Sequence, residues 1–271
     1  MSSRFLEGVR LTCVLALLAC ASRVEARDLV VCADPDNLPF SQQDGSGFEN
    51  RIAALVAEDL RARLVYHWLP LRRGVVRKTL AARLCDVLMG VPADPAGLAT
   101  TIPYYRSSYV LVTRMDWGAP VASFDDARIR ASRIGVPLIG ADGAAAPPAS
   151  VLARRGILDN VRGFPVYGAQ PVSQRMLDAL ATRRLDIAVG WGPAMGYYAR
   201  RAKVPIDLAL AQDETSAPES FSIAIAVRDD EPGLRDELNA ALDRERPRID
   251  AVLAEYGVPL LPLGRTTAGR K

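Results

Sequence analysis

The chain has 271 residues, 49% of them apolar, with 34 basic against 31 acidic side chains and a formal charge of +3. So slight an imbalance implies no polyanionic partner and in particular no nucleic acid. One histidine, His67, and no C-x-x-C spacing leave no set of soft ligands for a structural zinc ion, and no metal site is expected.

Arg4 and Arg10 precede the apolar run Leu11 to Ala21, which is too short to span a bilayer and is followed by Val24-Glu25-Ala26, a small-residue cleavage pattern. Residues 1–26 read as a secretory signal. Leu17-Leu18-Ala19-Cys20 also resembles a lipoprotein processing site, so lipid anchoring at Cys20 is a competing reading. Removing residues 1–26 takes out three arginines and two glutamates, which lowers the charge from +3 to +2. No second long apolar stretch follows, so no membrane span is expected. Two cysteines remain, Cys32 and Cys85, an even pair in a chain exported to an oxidising compartment, and a disulfide is the leading reading.

From Asp28 to Ala33 a continuous apolar run suits a strand buried on both faces; Phe48, Ile52, Leu55, Val56 and Leu60 then recur at helical spacing. Leu64 to Trp68 predicts a second strand, Gly74 to Leu84 a helix and Cys85 to Gly90 a third strand. A strand from Tyr109 to Thr113 leads into a second series that begins at Arg133. It continues as strand Val161 to Val166, helix Val172 to Arg183, strand Leu185 to Gly190, a helix near Ala194 to Ala202, and strand Ile206 to Ala211. Strand Ser222 to Val227 follows, and then helical apolar positions at Leu234, Leu238, Leu242, Ile249, Leu253 and Tyr256. Repeated βαβ units give parallel sheets. The expected organisation is α/β with two lobes joined by two crossing segments: residues 27–114 and 217–262 form lobe 1, residues 115–216 form lobe 2, and residues 263–271 are a tail. Such an arrangement leaves a cleft between the lobes.

The order of NLPF, GFEN, CDVLMGVPAD, PYYRSSYV, IGV and LDIAVGWGPAMGYY along the chain resembles the type II periplasmic solute-binding proteins. More narrowly, over residues 28–262, it is similar to the MxaJ/XoxJ group, proteins associated with quinoprotein methanol and related alcohol dehydrogenases. The resemblance implies a two-lobed fold and a PQQ-dependent alcohol dehydrogenase as partner, which this chain would serve by shaping it or by carrying cofactor to it; no cofactor of its own is expected. In the strand order typical of this fold the first and third strands are neighbours, which would bring Cys32 and Cys85 together.

Ligands and partners meet the carboxyl ends of parallel strands, so the loop Asp34 to Phe40 is expected at the cleft edge with Asp34, Asn37 and Phe40 exposed to it and Phe48 and Glu49 beside it. Phe40 serves equally well as a cap on the core. A calcium loop fails in this stretch because Leu38 and Pro39 replace a ligand and the required glycine. Gly45-Ser46-Gly47 lacks the lysine of a phosphate loop, and His67 lies within a strand, so no catalytic constellation forms and no enzyme is expected. Amino-acid-binding relatives clamp the ligand carboxylate with an arginine after the third strand and its ammonium with an aspartate in lobe 2. Here Pro92 to Thr101 has no arginine and Trp191 stands where the carboxylate would. An unpaired zwitterion is costly to bury, so free amino acids are expected to be rejected. Trp68, Tyr104, Tyr105, Trp191 and Tyr197 imply an aromatic lining, against ordinary core packing as the plainer account. Arg72, Arg73 and Arg106 edge it; Arg72 and Arg73 are placed to pair with Asp36 or Glu49 or to face an anionic partner. A small-molecule ligand for an ABC importer is the alternative function.

Overall fold

The computed structural model describes residues 27–70, 72, 74–93, 98–138, 146–212 and 218–263. The proposed signal, Cys20, Arg73 and the tail from residue 264 lie outside the described residues. Strand β1 (Asp28–Ala33) runs parallel to β4 (Arg63–Trp68) on one side and to β5 (Val87–Pro92) on the other. Strands β2 (Asp36–Asn37) and β3 (Ser41–Gln42) make a small hairpin in the loop after β1, and β6 (Ala99–Thr100) pairs with β12 (Ser220–Val227). Strand β12 lies between β5 and β7 (Tyr105–Arg114), antiparallel to both.

One strand joins the two lobes. The first half of β7, from Tyr105 to Ser108, pairs with β12; the second half pairs with β10 (Ile187–Trp191) and β11 (Ile206–Leu210). Beyond it β8 (Ile134–Leu138) and β9 (Val161–Pro165) extend the second lobe in parallel. The return crossing runs alongside: the Ser108 hydroxyl donates to the carbonyls of Ala211 (2.9 Å) and Glu219 (3.0 Å).

Helices cover both faces of each sheet. In lobe 1, α1 (Phe48–Asp59) packs Phe48, Ile52 and Val56 against Val31, Val87 and Ile225, and is backed by α6 (Pro232–Arg244) and α7 (Arg246–Glu255) through Leu238, Leu242 and Leu253. The opposite face is a smaller cluster of Cys32, Leu80, Cys85, Leu88 and Ala226. There the Cys32–Cys85 disulfide forms, with Cα atoms 5.6 Å apart. In lobe 2, α3 (Pro147–Arg154) packs on one face with Ile134 and Ile187, while α4 (Val172–Ala181) and α5 (Gly192–Ala199) pack on the other with Val112 and Leu185.

Three elements differ from the sequence expectation. The helix expected over Gly74–Leu84 is a single turn, α2 (Val75–Lys78). Thr79 leaves helical geometry at φ −123° and ψ −87°, its hydroxyl bonding the Val75 carbonyl, and Leu80 turns into the disulfide-side core. Strand β7 starts at Tyr105 rather than Tyr109, because Tyr105 to Ser108 is the stretch that pairs with β12. Helix α3 had no expectation: its apolar face is short, and Pro147 and Pro148, at its first two positions where their missing N–H groups cost nothing, read as loop in a linear sequence.

Candidate functional site: the cleft between the lobes

The loop after β1 is a compact unit. The Asp34 carboxylate accepts the Asp36 N–H (3.0 Å), and the Ser41 hydroxyl donates to the Asp34 carbonyl (2.8 Å). The Asn50 amide oxygen accepts the N–H groups of Gln42 (2.9 Å) and Gly47 (3.1 Å), which ties the loop to the first turn of α1. Backbone N–H groups of Phe48 and Glu49 bond the carbonyls of Pro39 and Phe40. A strand thus runs into a polar, proline-held loop because α1 begins directly beneath it and holds it by main-chain contacts. Asp34 and Asn37 are partly exposed there, and Phe40 tilts against Phe48 with ring centroids 5.3 Å apart.

Of the residues expected to line the cleft, the structure puts Phe48, Glu49, Tyr104 and Tyr105 inside lobe 1 instead; Phe48 and Tyr104 are fully buried. The reason is topological. Tyr105 begins β7 at the centre of the sheet and Tyr104 precedes it; the two rings meet each other, and that of Tyr105 meets Phe48 of α1. Glu49 comes with them: the Tyr104 hydroxyl donates to its Oε1 (3.1 Å) and itself accepts the Gly90 N–H (3.0 Å). Burial away from water lifts the Glu49 carboxyl to about 7, against the smaller lowering effect of the Tyr104 hydroxyl, and pushes Tyr104 well above its ordinary range. Gly90, at φ +73°, makes this arrangement fit, since a Cβ there would lie 2.4 Å from Glu49 Oε1.

Trp191 does stand at the junction. It ends β10, and its ring meets Tyr109 (5.4 Å) and Phe221 (5.9 Å) edge-on where the two sheets join. Its indole N–H is engaged by the Tyr105 hydroxyl. Trp68 ends β4 stacked on Tyr66 at 4.5 Å. Arg106 is fixed on the crossing strands, donating to the Ser220 hydroxyl (2.6 Å), while its carbonyl accepts the Leu261 N–H. Arg72 pairs with neither Asp36 nor Glu49. Its guanidinium reaches across to lobe 2 and sits 5.0 Å from the centroid of the Tyr167 ring. Tyr197 stacks on Tyr256 of the lobe 1 core (5.8 Å) under the Arg201 guanidinium (3.6 Å).

Between the lobes lies a cavity of about 260 Å³, walled by the Asp36–Phe40 stretch on one side and by Val166 and Gly168–Ser173 on the other, with Ala194 and Tyr198 as its floor. A second space of about 390 Å³ lies beyond Tyr198 and ends at Asp178, Arg201 and Lys203. The Tyr198 hydroxyl donates across the cleft to the Leu38 carbonyl (3.3 Å); burial, then Tyr197 and Asp36, push it to about 12. Tyr167 and Tyr198 were not singled out in the sequence. Tyr167 was within reach of the rule that found NLPF, because it follows the carboxyl end of β9; Tyr198 gave no signal beside Tyr197.

Among the described residues no group of three or more His, Cys, Asp or Glu is placed to hold a metal ion, and no helix is long and apolar enough to cross a membrane.

No protein-family model matches the chain. It is 34% identical over 255 residues to Protein MoxJ of Methylorubrum extorquens, an alignment covering 90% of this chain and 85% of that one. The crystal structure of the periplasmic binding protein XoxJ from Methylobacterium extorquens AM1 matches with a TM-score of 0.73 and 36% identity, covering 86% of this chain and 99% of that one. That of MxaJ from Methlophaga aminisulfidivorans MPT matches with a TM-score of 0.77 and 27% identity, over 86% and 100%. The chain belongs to the MxaJ/XoxJ group, to which the MoxJ proteins also belong, of the type II periplasmic binding proteins.

Proposed function

We propose that this protein is an exported accessory of methanol oxidation that uses its cleft and rim to bind a PQQ-dependent methanol or alcohol dehydrogenase and helps it mature. It acts by association rather than turnover. In this reading residues 1–26 direct export to the periplasm, residues 27–114 and 217–262 form one lobe and residues 115–216 the other. The observation that carries the proposal is Trp191. An indole packed between Tyr109 and Phe221, its N–H donated to the Tyr105 hydroxyl, supplies no carboxylate to pair with a ligand ammonium, so the junction of the lobes is built as an aromatic surface. Aromatic walls rimmed by arginine are the composition of protein interfaces. The cavity of about 260 Å³ favours a second reading, a receptor for a small, weakly polar solute of an ABC importer.

A deletion strain separates the two. Loss of dehydrogenase activity with normal amounts of its polypeptide supports the accessory role. Full dehydrogenase activity, with failure to grow on one imported solute, overturns it in favour of the receptor.

A further inference from the structure

From Leu69 to Leu84 the chain carries Arg72, Arg73, Arg77, Lys78 and Arg83 and no acidic residue. The segment starts at the carboxyl end of β4, where Arg72 reaches the mouth of the cleft and α2, carrying Arg77 and Lys78, follows one turn later, and it ends where β5 begins, at the far end of the sheet. Arg83 is neutralised by Asp230. Arg77 and Lys78 are exposed and have no carboxylate partner among the described residues, and Arg72 rests on a ring. Elsewhere exposed arginines are matched across elements, as in Arg63–Asp28, Arg133–Asp186, Arg244–Asp59 and Arg248–Glu58. Other cations without a carboxylate, such as Arg61 and Arg162, stand singly or cap carbonyls, as Arg200 does at the end of α7.

The ring under Arg72 is also unusual. Tyr167 is 45% exposed, and the loop that carries it is held from behind by Arg175, which donates to the carbonyls of Gln170 and Pro165. An exposed tyrosine of lobe 2 thus lies under a guanidinium of lobe 1, on a loop that a second guanidinium holds.

We propose that Tyr167, Arg72, Arg77 and Lys78 form a docking surface for an acidic segment of a protein partner. The charge selects carboxylates, and the ring supplies the apolar contact that makes such a surface an interface instead of a solvated face. The inference rests on the accessory reading above and names the chemistry of the partner.

The test measures association of the purified protein with the dehydrogenase polypeptide in low and moderate salt. Wild type is expected to associate about tenfold more slowly as salt rises. Arg77→Glu/Lys78→Glu is expected to lose about tenfold in association rate at low salt and most of the salt dependence, at an unchanged melting temperature. Lys78→Arg is expected to match wild type. If wild type binds and the reversed pair binds equally fast, the docking surface is wrong and the accessory role stands. If wild type does not bind, the accessory role falls, and a glutamate-rich synthetic peptide decides the surface by itself: binding abolished by the reversed pair sustains it, and no binding overturns it. Preference for phosphatidylglycerol vesicles over that peptide also overturns it, in favour of a lipid surface.

Discussion

At the base of the cleft, lobe 2 meets lobe 1 backbone to backbone. Gly192 and Gly196 lie one turn apart on α5, and a Cβ on them would fall 2.6 Å from the Ser108 carbonyl oxygen and 2.2 Å from that of Gly257. From the end of α5, Arg200 holds the last carbonyls of α7 at Ala254 and Glu255. Among the described residues, the polar contacts between the lobes at the mouth are a hydroxyl, Tyr198 to Leu38, and a guanidinium on a ring, Arg72 on Tyr167. Lobe placement is thus fixed by close backbone contact at the base and by single side-chain contacts at the mouth.

The largest expected effect comes from breaking the base. Gly196→Ala puts a methyl into the Gly257 carbonyl, and backbone cannot rotate away as a side chain can. A loss of about 3 kcal/mol or more, the upper end for overpacking, is expected. Urea unfolding measures it; a midpoint within experimental error of wild type would show that the close approach is not needed.

Next in size is the staple behind the mouth. The Cys32–Cys85 bridge spans 53 residues of lobe 1, so reducing it is expected to remove about 3–4 kcal/mol. Thermal unfolding with and without reductant reports it. An unchanged curve, with thiol titration showing both sulfurs free, would place the stability of that lobe elsewhere.

Inside lobe 1, Glu49 makes stability depend on pH. Its folded carboxyl titrates near 7 against an ordinary 4.5, so between those values the folded state keeps a proton that the unfolded chain has lost. Its contribution is therefore best below pH 4.5, declines as pH rises to 7 and is flat above. The shift corresponds to about 3 kcal/mol. Glu49→Gln keeps an acceptor for Tyr104 and removes the charge, so it is expected to gain up to about 3 kcal/mol over wild type at pH 8 and nothing at pH 4. A difference between the two proteins that does not change with pH would mean that Glu49 is not the group being titrated.

The sequence made the strands legible because parallel buried strands are continuous apolar runs: β1, β4 and β12 sit within two residues of their expected limits. The bridge was legible from cysteine count, compartment and strand order together. Side-chain direction was not legible. In the pair Tyr104-Tyr105 nothing local tells a core ring from a cleft ring, and the answer came from β7 starting early in the middle of the sheet. Glu49 misled for a related reason: a carboxylate beside a helix start reads as solvated, and the groups that bury it, Gly90 and Tyr104, lie 41 and 55 positions away. The Arg72–Tyr167 contact joins two lobes and is invisible to any window of sequence.

The smallest expected effect belongs to the mouth. Arg72→Ala removes an exposed cation from a ring, worth about 0.5–1 kcal/mol at most, and Tyr198→Phe removes one long hydrogen bond worth about 1 kcal/mol or less. The two contacts involve different residues on both sides, so their effects are expected to add. Even the double variant then leaves the base intact: Gly192 and Gly196 still meet lobe 1, and Arg200 still holds α7. Its solution scattering profile is therefore expected to overlay that of wild type. A larger radius of gyration in the double variant would mean that the mouth contacts hold the lobes together, and the base would then be a pivot rather than a clamp.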